Sequence, residues 1–226
     1  MSWESSAEYY RFLNEAVRDR LGGLHSADCL LRSVDFTAIE ELQRTRRWDE
    51  AGELLAEEAK ALEAAGAELI VLCTNTMHKV AHTITAAIDV PFVHIADTTA
   101  IAVREAGVST VGLLATAYTM EHDFYVGRLR DLHGLEVLVP GPDDRRLVHD
   151  VIYNELCVGL VRDESRRAYQ RIMRELAGRG AQAIVLGCTE IDLLIAPADA
   201  PLPVFDTTRL HAEKAVEMAL ESSPVT

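Results

Sequence analysis

The sequence predicts an α/β fold made of two similar halves, each with a parallel sheet flanked by helices. The first observation is that short β-rich runs alternate with amphipathic helical stretches almost throughout the chain. This alternation is typical of βαβ units. The second observation is an internal duplication, in which GAELIVLCTNT of the first half returns as GAQAIVLGCTE in the second. Both copies end an apolar strand in Cys-Thr.

The individual elements follow from periodicity and from the residues that interrupt it. Helices are predicted where apolar residues recur with a helical period and a glycine closes the segment, most clearly at 48–66 and 164–180. Each copy of the motif is followed by a Pro-led strand and a helix start, VPFVHIADTTAIAV and LPVFDTTRLHAEKAV. Strands are predicted from short apolar runs, namely LLRSVDF at 30–36, LIVLC at 69–73, FVHIA at 92–96, TVGLL at 110–114, LEVLVP at 135–140 and AIVLG at 183–187.

Composition narrows the class of protein and of partner. The chain has 226 residues, of which 49% are hydrophobic and 26% charged, values typical of a globular protein with a substantial core. The formal charge of −14 argues against nucleic acid or an anionic membrane as partner, because both require a basic surface. No long apolar run and no signal-peptide pattern is found, so we expect a cytoplasmic protein.

Four cysteines are spread along the chain, at Cys29, Cys73, Cys157 and Cys188. None forms a C-x-x-C pair, which argues against zinc knuckles and a thioredoxin-type motif. We expect free thiols. Cys29 starts a predicted strand and Cys157 lies on the apolar face of IYNELCVGL, so both are predicted to be core residues.

The two Cys-Thr corners are the candidate site. In open α/β sheets, ligands bind beyond the carboxyl ends of the strands, where helix N-termini offer unpaired N–H groups. A helix N-terminus also lowers the pKa of a thiol from about 8.5, so Cys73 and Cys188 are predicted to be reactive. A single such cysteine is more simply a small apolar residue at a strand end. Two that face each other could remove a proton from one face of a carbon and return one to the other.

Several segments carry a resemblance to a known family. CTNTMHKV with GCTEI, together with MSWESS, LLATAYTMEHDFY and VFDTTRLHA, resembles the aspartate/glutamate racemase family, in particular its bacterial broad-specificity amino-acid racemase branch. The resemblance runs essentially from end to end. It implies two pseudo-symmetric α/β domains, 1–97 plus 207–226 and 98–206, with the active site between them. It also implies a racemase without a cofactor, a free amino acid as substrate and a homodimer.

The resemblance also implies the roles of individual residues. Cys73 and Cys188 would be the acid/base pair. Glu190 would orient the second thiol or contact the substrate ammonium. The residues implied to bind or line the substrate pocket are Ser2, Thr74, Asn75, Thr76, Thr116, Thr189 and Glu190.

Two features depart from the family pattern. In the family the MSWES loop follows a hydrophobic strand that ends in Gly-Gly, whereas this sequence starts at Met1. We therefore expect either a start codon assigned too late or a first half without its central strand, with unpaired sheet edges. The second departure is LLATA at 113–117, where many relatives have a glycine and then a basic residue. The resemblance therefore does not assign a group for a second substrate carboxylate.

Other polar residues have simpler interpretations. Asp97 and Asp206 each begin a D-T-T that opens a helix, so both are predicted N-caps. His78 and His211 could join the thiols at a metal, but a metal would occupy the groups needed for proton transfer, so no metal is expected. The paired arginines are predicted to lie on solvated helix faces, although one of them could lend positive charge to an acidic substrate. They are Arg46, Arg47, Arg145, Arg146, Arg166 and Arg167.

Three functional classes remain open from the sequence. A pyridoxal enzyme is disfavoured because none of the lysines, Lys60, Lys79 and Lys214, precedes a phosphate-binding glycine loop. The leading hypothesis is racemisation of aspartate, glutamate or a broader range of amino acids. Related chemistries are those of hydantoin racemases, maleate isomerases and arylmalonate decarboxylases, of which decarboxylation needs only one proton donor. A catalytically silent ligand-binding protein is the third.

Overall fold

The computed structural model describes residues 1–222 of the chain, which divides into two compact units. Unit 1 consists of Met1–His94 and His211–Thr226, and unit 2 of Ile95–Leu210. Residues 223–226, which the sequence assigns to the first domain, lie outside the described residues. Among residues 1–222, no helix combines the length and the apolar character needed to cross a bilayer.

Unit 1 contains a small parallel sheet and a set of helices. Strands β1 and β2 pair in parallel with Ile70 opposite Phe92. The apolar face of the long third helix packs onto this sheet through small and branched residues such as Ala51 and Leu55. The elements are α1 Trp3–Leu21, α2 Phe36–Arg44, α3 Trp48–Ala64, β1 Ile70–Val71, a 3₁₀ helix Thr76–Val80, α4 Ala81–Thr85 and β2 Phe92–Val93. A last helix, α11 Thr207–Ser222, begins in unit 2 and ends in unit 1.

Unit 2 is built on a four-stranded parallel sheet in the order β4-β3-β5-β6. The central strands are apolar and buried on both faces, as parallel sheets covered by helices require. Its elements are α5 Ile95–Glu105, β3 Thr110–Ala115, α6 Ala117–Glu121, α7 Val126–Asp131, β4 Glu136–Leu138, α8 Pro142–Asn154, a 3₁₀ helix Leu156–Val158, α9 Asp163–Gly178, β5 Ala183–Gly187, α10 Ile191–Leu194, a 3₁₀ helix Pro197–Asp199 and β6 Val204–Asp206.

A close approach of β3 and β5 explains the glycine at the end of β5. A Cβ on Gly187 would lie 2.9 Å from the Ala115 Cβ and 3.0 Å from Leu113 Cδ1. No ordinary carbon contact is that short, so a side chain at position 187 would push the two strands apart. The carboxyl ends of β3 and β5 therefore lie in the same tightly packed layer.

The α/β class, the parallel pairing and most predicted strands are confirmed. The prediction of a strand at 30–36 is wrong, because residues 24–35 form no strand and α2 begins at Phe36. An extended segment forms a strand only beside a paired neighbour, and among residues 1–222 the strand β1 of this unit is paired with β2. Cys29, predicted in the core, is exposed in this segment. Cys157 is half-buried and packs against the core of unit 2.

Candidate functional site

The first Cys-Thr corner lies at the carboxyl end of β1. Cys73 is half-buried, and its thiol lies 3.7 Å from the Val71 carbonyl oxygen. The Cys73 carbonyl accepts two hydrogen bonds, from the Met1 nitrogen at 2.7 Å and from Ser5 Oγ at 3.0 Å. The beginning of α1 is thereby fastened to the corner.

Ser2 takes part in that attachment. It is buried and is the N-cap of α1, where its hydroxyl accepts a hydrogen bond from the Ser5 amide at 3.1 Å. Such a cap satisfies one of the free N–H groups of the helix start. The structure therefore places Ser2 at the Cys73 corner, with its hydroxyl engaged in the cap of α1.

The three residues after Cys73 turn the chain from the strand into a 3₁₀ helix. The Thr74 amide donates to the Leu72 carbonyl at 2.7 Å, so this N–H is used within the turn. Asn75 and Thr76 are buried at the start of the helix. His78 lies one turn further on, and its Nδ1 donates to the Thr74 carbonyl at 2.7 Å, because a carbonyl oxygen can only accept.

Buried histidines of unit 1 pack beside this corner. His211 is held between the Tyr9 hydroxyl, 2.7 Å from Nδ1, and the Val93 carbonyl, 2.9 Å from Nε2. The neutral ring therefore carries its proton on Nε2. Burial lowers the pKa of His211 to about 4 and holds the pKa of His78 well below its ordinary value. The ring centroids of His78 and His94 are 4.6 Å apart. Within residues 1–222, no three His, Cys, Asp or Glu side chains are arranged to hold a metal ion.

The second Cys-Thr corner lies at the carboxyl end of β5. The Cys188 thiol donates a hydrogen bond to the Glu190 carboxylate, with Sγ 3.0 Å from Oε2. Thr189 and Glu190 are buried, and the Ile191 amide closes the turn on the Cys188 carbonyl at 3.1 Å. Of the two roles that the resemblance implied for Glu190, this geometry corresponds to orientation of the thiol.

Thr116 lies beside this corner at the same edge of the sheet. Ala115 is opposite Gly187 in the parallel register, so Thr116 and Cys188 are the residues that follow paired positions. Thr116 is buried and is the N-cap of α6, where its hydroxyl lies 3.2 Å from the Thr119 hydroxyl. The structure thus brings Thr116, Cys188, Thr189 and Glu190 together at the carboxyl end of the unit 2 sheet.

Sequence reasoning missed one further residue at this edge. His149, on α8, accepts a hydrogen bond from the Ala117 amide through Nδ1 at 3.2 Å. It packs against Tyr118 and Tyr153, and burial lowers its pKa. Nothing local in PDDRRLVHDVIYN indicates this contact, because it depends on how α8 packs on the turn after β3.

The expected activation of the thiols by helix N-termini is wrong. Burial raises the pKa of Cys73 to about 11. Burial and then the Glu190 carboxylate raise the pKa of Cys188 well above its ordinary value. Desolvation is the largest cause of the raised pKa at both corners, and it outweighs the stabilisation of a thiolate that the helical turns after the cysteines could provide. Burial therefore disfavours the thiolate at both corners.

Of the two predicted aspartate N-caps, one is confirmed and one is wrong. Asp206 caps α11, since its carboxylate accepts from the Thr208 and Arg209 amides, and this prediction is confirmed. Asp97 is not an N-cap, because α5 begins two residues earlier. Its carboxylate instead accepts hydrogen bonds from Arg128, at 2.6 and 2.7 Å, and from His133 at 2.8 Å. A carboxylate gains more from a two-pronged guanidinium contact than from a cap.

Two of the paired arginines do more than face solvent. Arg166 donates from Nε to the Leu194 carbonyl at 2.9 Å, at the end of α10. Arg145 bonds the Glu121 carboxylate and the Pro140 carbonyl. The three lysines lie at the surface or are partly exposed: Lys60 pairs with Glu57, Lys214 with Glu217, and Lys79 lies over the Trp48 ring.

A comparison with known families can be set beside this geometry. The model of the Asp/Glu/hydantoin racemase family matches residues 1–215 of the chain. The chain belongs to this family. Family and structural neighbours together support a racemase, and hence an isomerase, as the class of activity.

Solved structures agree with the assignment. A candidate Asp/Glu racemase from Yersinia pestis is 52% identical, with a TM-score of 0.90 over 97% of this chain and 96% of its own. An aspartate racemase homologue from Pyrococcus horikoshii is 34% identical, with a TM-score of 0.82 over 96% and 94%. The aspartate racemase of Picrophilus torridus, 21% identical with a TM-score of 0.72 over 96% and 89%, shares the fold.

Proposed function

We propose that the protein racemises a free amino acid without a cofactor, with Cys73 and Cys188 as its two acid/base groups. The observation that carries the proposal is the repeated Cys-Thr corner, found once at the carboxyl end of a parallel strand in each unit. A racemase must take a proton from one face of the α-carbon and deliver one to the other. Two thiols could each carry out one of these two proton transfers.

In the proposed mechanism one thiolate removes the α-proton while the opposite thiol protonates the other face, and the roles reverse in the reverse reaction. Because burial disfavours the thiolate at both corners, bound substrate has to stabilise it. The α-ammonium of an amino acid brings positive charge to a buried thiol, which lowers its pKa. At Cys188 the Glu190 carboxylate, 3.0 Å from the sulfur, is positioned to accept the thiol proton.

The substrate proposed is aspartate, glutamate or a broader range of amino acids. Aspartate is favoured by the Pyrococcus horikoshii relative, an aspartate racemase homologue, over 94% of its length. Thr74, Asn75 and Thr76 would bind the α-carboxylate at the first corner, and Thr189 with Thr116 would contact the substrate at the second. The buried hydroxyl and amide groups at both corners are of the kind that binds a carboxylate.

The test is to incubate the protein in heavy water with a panel of L- and D-amino acids. Proton NMR then follows the loss of the α-proton signal of each amino acid. Wild-type protein should exchange and invert at least one of them. Cys73→Ser and Cys188→Ser should each lower racemisation by a factor of about 100 to 10,000, because serine is a far poorer base near neutral pH. Each variant is expected to retain one-sided exchange through its remaining thiol.

Matched controls are available within the chain. Cys29→Ser and Cys157→Ser remove the thiols that lie outside the two corners and should retain most of the activity. Full racemisation by Cys188→Ser would overturn the two-base mechanism. Exchange of a 5-substituted hydantoin instead of amino acids would redirect the substrate to the hydantoin branch, and binding without exchange would identify a silent homologue.

A further inference from the structure

A histidine lies at the edge of the unit 2 sheet that carries Cys188, and the proposed mechanism does not use it. His149, on α8, accepts a hydrogen bond from the Ala117 amide through Nδ1 at 3.2 Å. Ala117 comes directly after Thr116, which is proposed to contact the substrate. Thr116 and Cys188 follow paired residues of β3 and β5, and neighbouring strands are about 4.8 Å apart. His149 is therefore fastened to the turn that borders the second corner.

The contact with Ala117 fixes which nitrogen of the His149 ring carries the proton. A backbone N–H can only donate, so Nδ1 is the accepting nitrogen. Burial lowers the pKa of His149, although the Asp150 and Glu121 carboxylates act in the opposite direction. The ring is therefore neutral at neutral pH, with its proton on Nε2. Among the contacts of residues 1–222, no hydrogen bond involves this Nε2 atom. His149 thus offers a neutral N–H donor that the described part of the chain does not use.

Two tyrosines restrict the movement of the ring. The centroid of the His149 ring lies 4.7 Å from that of Tyr153, one turn further along α8. It lies 5.7 Å from that of Tyr118, on α6, and these two rings are nearly perpendicular. A side chain that is packed on two sides and bonded through Nδ1 retains little rotamer freedom. The Nε2 donor therefore has a fixed position relative to the turn after β3.

The nearby arginines are less suited to recognise a substrate side chain. Arg145 lies one turn before His149 on the same helix. Its guanidinium donates to the Glu121 carboxylate at 3.0 Å and to the Pro140 carbonyl at 3.1 Å. Arg166 donates to a backbone carbonyl at the end of α10. Because both guanidinium groups are engaged within the protein, the His149 donor is the better candidate for this role.

We propose that His149 selects the side chain of the substrate, by donating from Nε2 to a carboxylate or carboxamide oxygen. The inference rests on the proposed racemase function and gives it a substrate class, namely aspartate, glutamate and their amides ahead of amino acids with apolar side chains. A neutral donor can bond to both kinds of oxygen, and the bond to the charged one is stronger. His149 would also supply the group for a second carboxylate that the LLATA segment at 113–117 does not provide.

The experiment compares aspartate with leucine, whose branched side chain has a similar shape but no acceptor. Wild-type protein should racemise aspartate with a kcat/KM about tenfold or more above that for leucine, as one hydrogen bond to a charged group implies. In His149→Asn the side-chain oxygen can still accept from the Ala117 amide, whereas the donor at the Nε2 position is lost. The ratio of the two kcat/KM values should then fall about tenfold, mainly through a higher KM for aspartate.

Two further variants separate recognition of the substrate from support of the turn. His149→Gln extends its amide nitrogen about as far as Nε2 and should recover part of the preference for aspartate. His82→Asn, at an exposed histidine of unit 1, should leave the ratio at its wild-type value. A purely structural role for His149 predicts the same fractional loss for aspartate and leucine in both His149 variants. That result, or a wild-type ratio near one, would overturn the proposal.

A binding measurement separates this inference from the proposed reaction. The Nε2 resonance of ¹⁵N-labelled His149, assigned by its loss in His149→Gln, should shift when aspartate or asparagine is added and stay in place with leucine. A shift without racemisation would overturn the racemase function and retain His149 as the binding residue. Racemisation without a shift, and with an unchanged ratio in His149→Asn, would overturn the role of His149 alone. The absence of both would overturn both.

Discussion

The two Cys-Thr corners share a sequence motif but differ in the support beneath them. Cys188 follows β5, which is paired on both sides within a four-stranded sheet, whereas Cys73 follows β1, which among residues 1–222 belongs to a two-stranded sheet. The Cys188 thiol donates a hydrogen bond to a carboxylate, whereas the Cys73 thiol lies 3.7 Å from a backbone carbonyl oxygen. The motif therefore sets the path from strand to turn, while the surrounding elements decide the acid–base character of the sulfur.

The difference also extends to stability. In unit 2 the corner rests on a continuous core in which β3, β5 and their helices share buried apolar side chains. In unit 1 the sheet is supported by two smaller clusters of buried apolar side chains. Because local opening follows the density of buried contacts, we expect the Cys73 corner to open more readily than the Cys188 corner.

The largest expected effect concerns the carboxylate that distinguishes the two corners. Glu190→Gln keeps the shape of the side chain but removes its charge. We expect kcat/KM for racemisation to fall by a factor of about 100, as for loss of a general base, and equally in both directions because enantiomers have an equilibrium constant of one. Chiral chromatography of both reactions measures this.

The same variant should change the thiol in the opposite sense. The Glu190 charge contributes to the raised pKa of Cys188, so removing it lowers that pKa and should speed alkylation of Cys188 by iodoacetamide. Slower racemisation together with faster alkylation would show that Glu190 acts by accepting a proton and does not merely hold the thiol in position. Unchanged kcat/KM would remove Glu190 from the mechanism.

The next effect tests whether tight packing under Cys188 matters. Gly187→Ala would place a methyl group 2.9 Å from the Ala115 Cβ, and overpacking of this kind costs about 1–3 kcal/mol. Denaturant unfolding should show this loss, together with a shift of Thr116 away from Cys188. Gly141→Ala is the control, because no atom lies within 4 Å of its added Cβ. Equal stability of the two variants would mean that β3 and β5 separate without cost.

Hydrophobic periodicity was sufficient to predict the helices, whose backbone hydrogen bonds are local, and the strands that have a paired neighbour. AIVLG at 183–187 is β5, and the helix predicted over 164–180 is α9 Asp163–Gly178. The strand at 30–36 could not be judged from its own residues, because a strand exists only beside a partner. Local sequence predicts the propensity of the segment and carries no information on whether its partner is present.

The candidate site shows the same division. The Cys-Thr duplication predicted both corners, since a motif at a strand end fixes its place on the sheet. It could not predict that burial would raise the thiol pKa values, because desolvation depends on side chains such as Tyr9 and Phe12 that pack on Cys73 from elsewhere in the chain. The contact of His149 with Ala117 could not be predicted for the same reason, because it joins two segments that are distant in sequence.

The smallest expected effect is a pH dependence of stability that should be larger in unit 1 than in unit 2, where the pKa of His149 is also lowered but the side chain is only partly buried. His211 in unit 1 is buried, and its pKa falls from an ordinary 6.5 to about 4. The folded state therefore binds fewer protons than the unfolded state between these values, so stability is full above pH 6.5 and declines as the pH falls toward 4. For His211 alone the free energy of unfolding should decrease by about 2 kcal/mol between pH 8 and pH 5, and His78 adds to the loss in the same direction.

Amide exchange at Met77 and Ile84 should accelerate at pH 5, after correction for intrinsic rates, more than exchange at Val185 in unit 2. His211→Gln, which retains a donor and an acceptor toward Tyr9 and Val93, should weaken this dependence. His25→Gln, at an exposed histidine, should leave it intact. Equal acid sensitivity in both units would mean that the buried histidines of unit 1 do not set its stability.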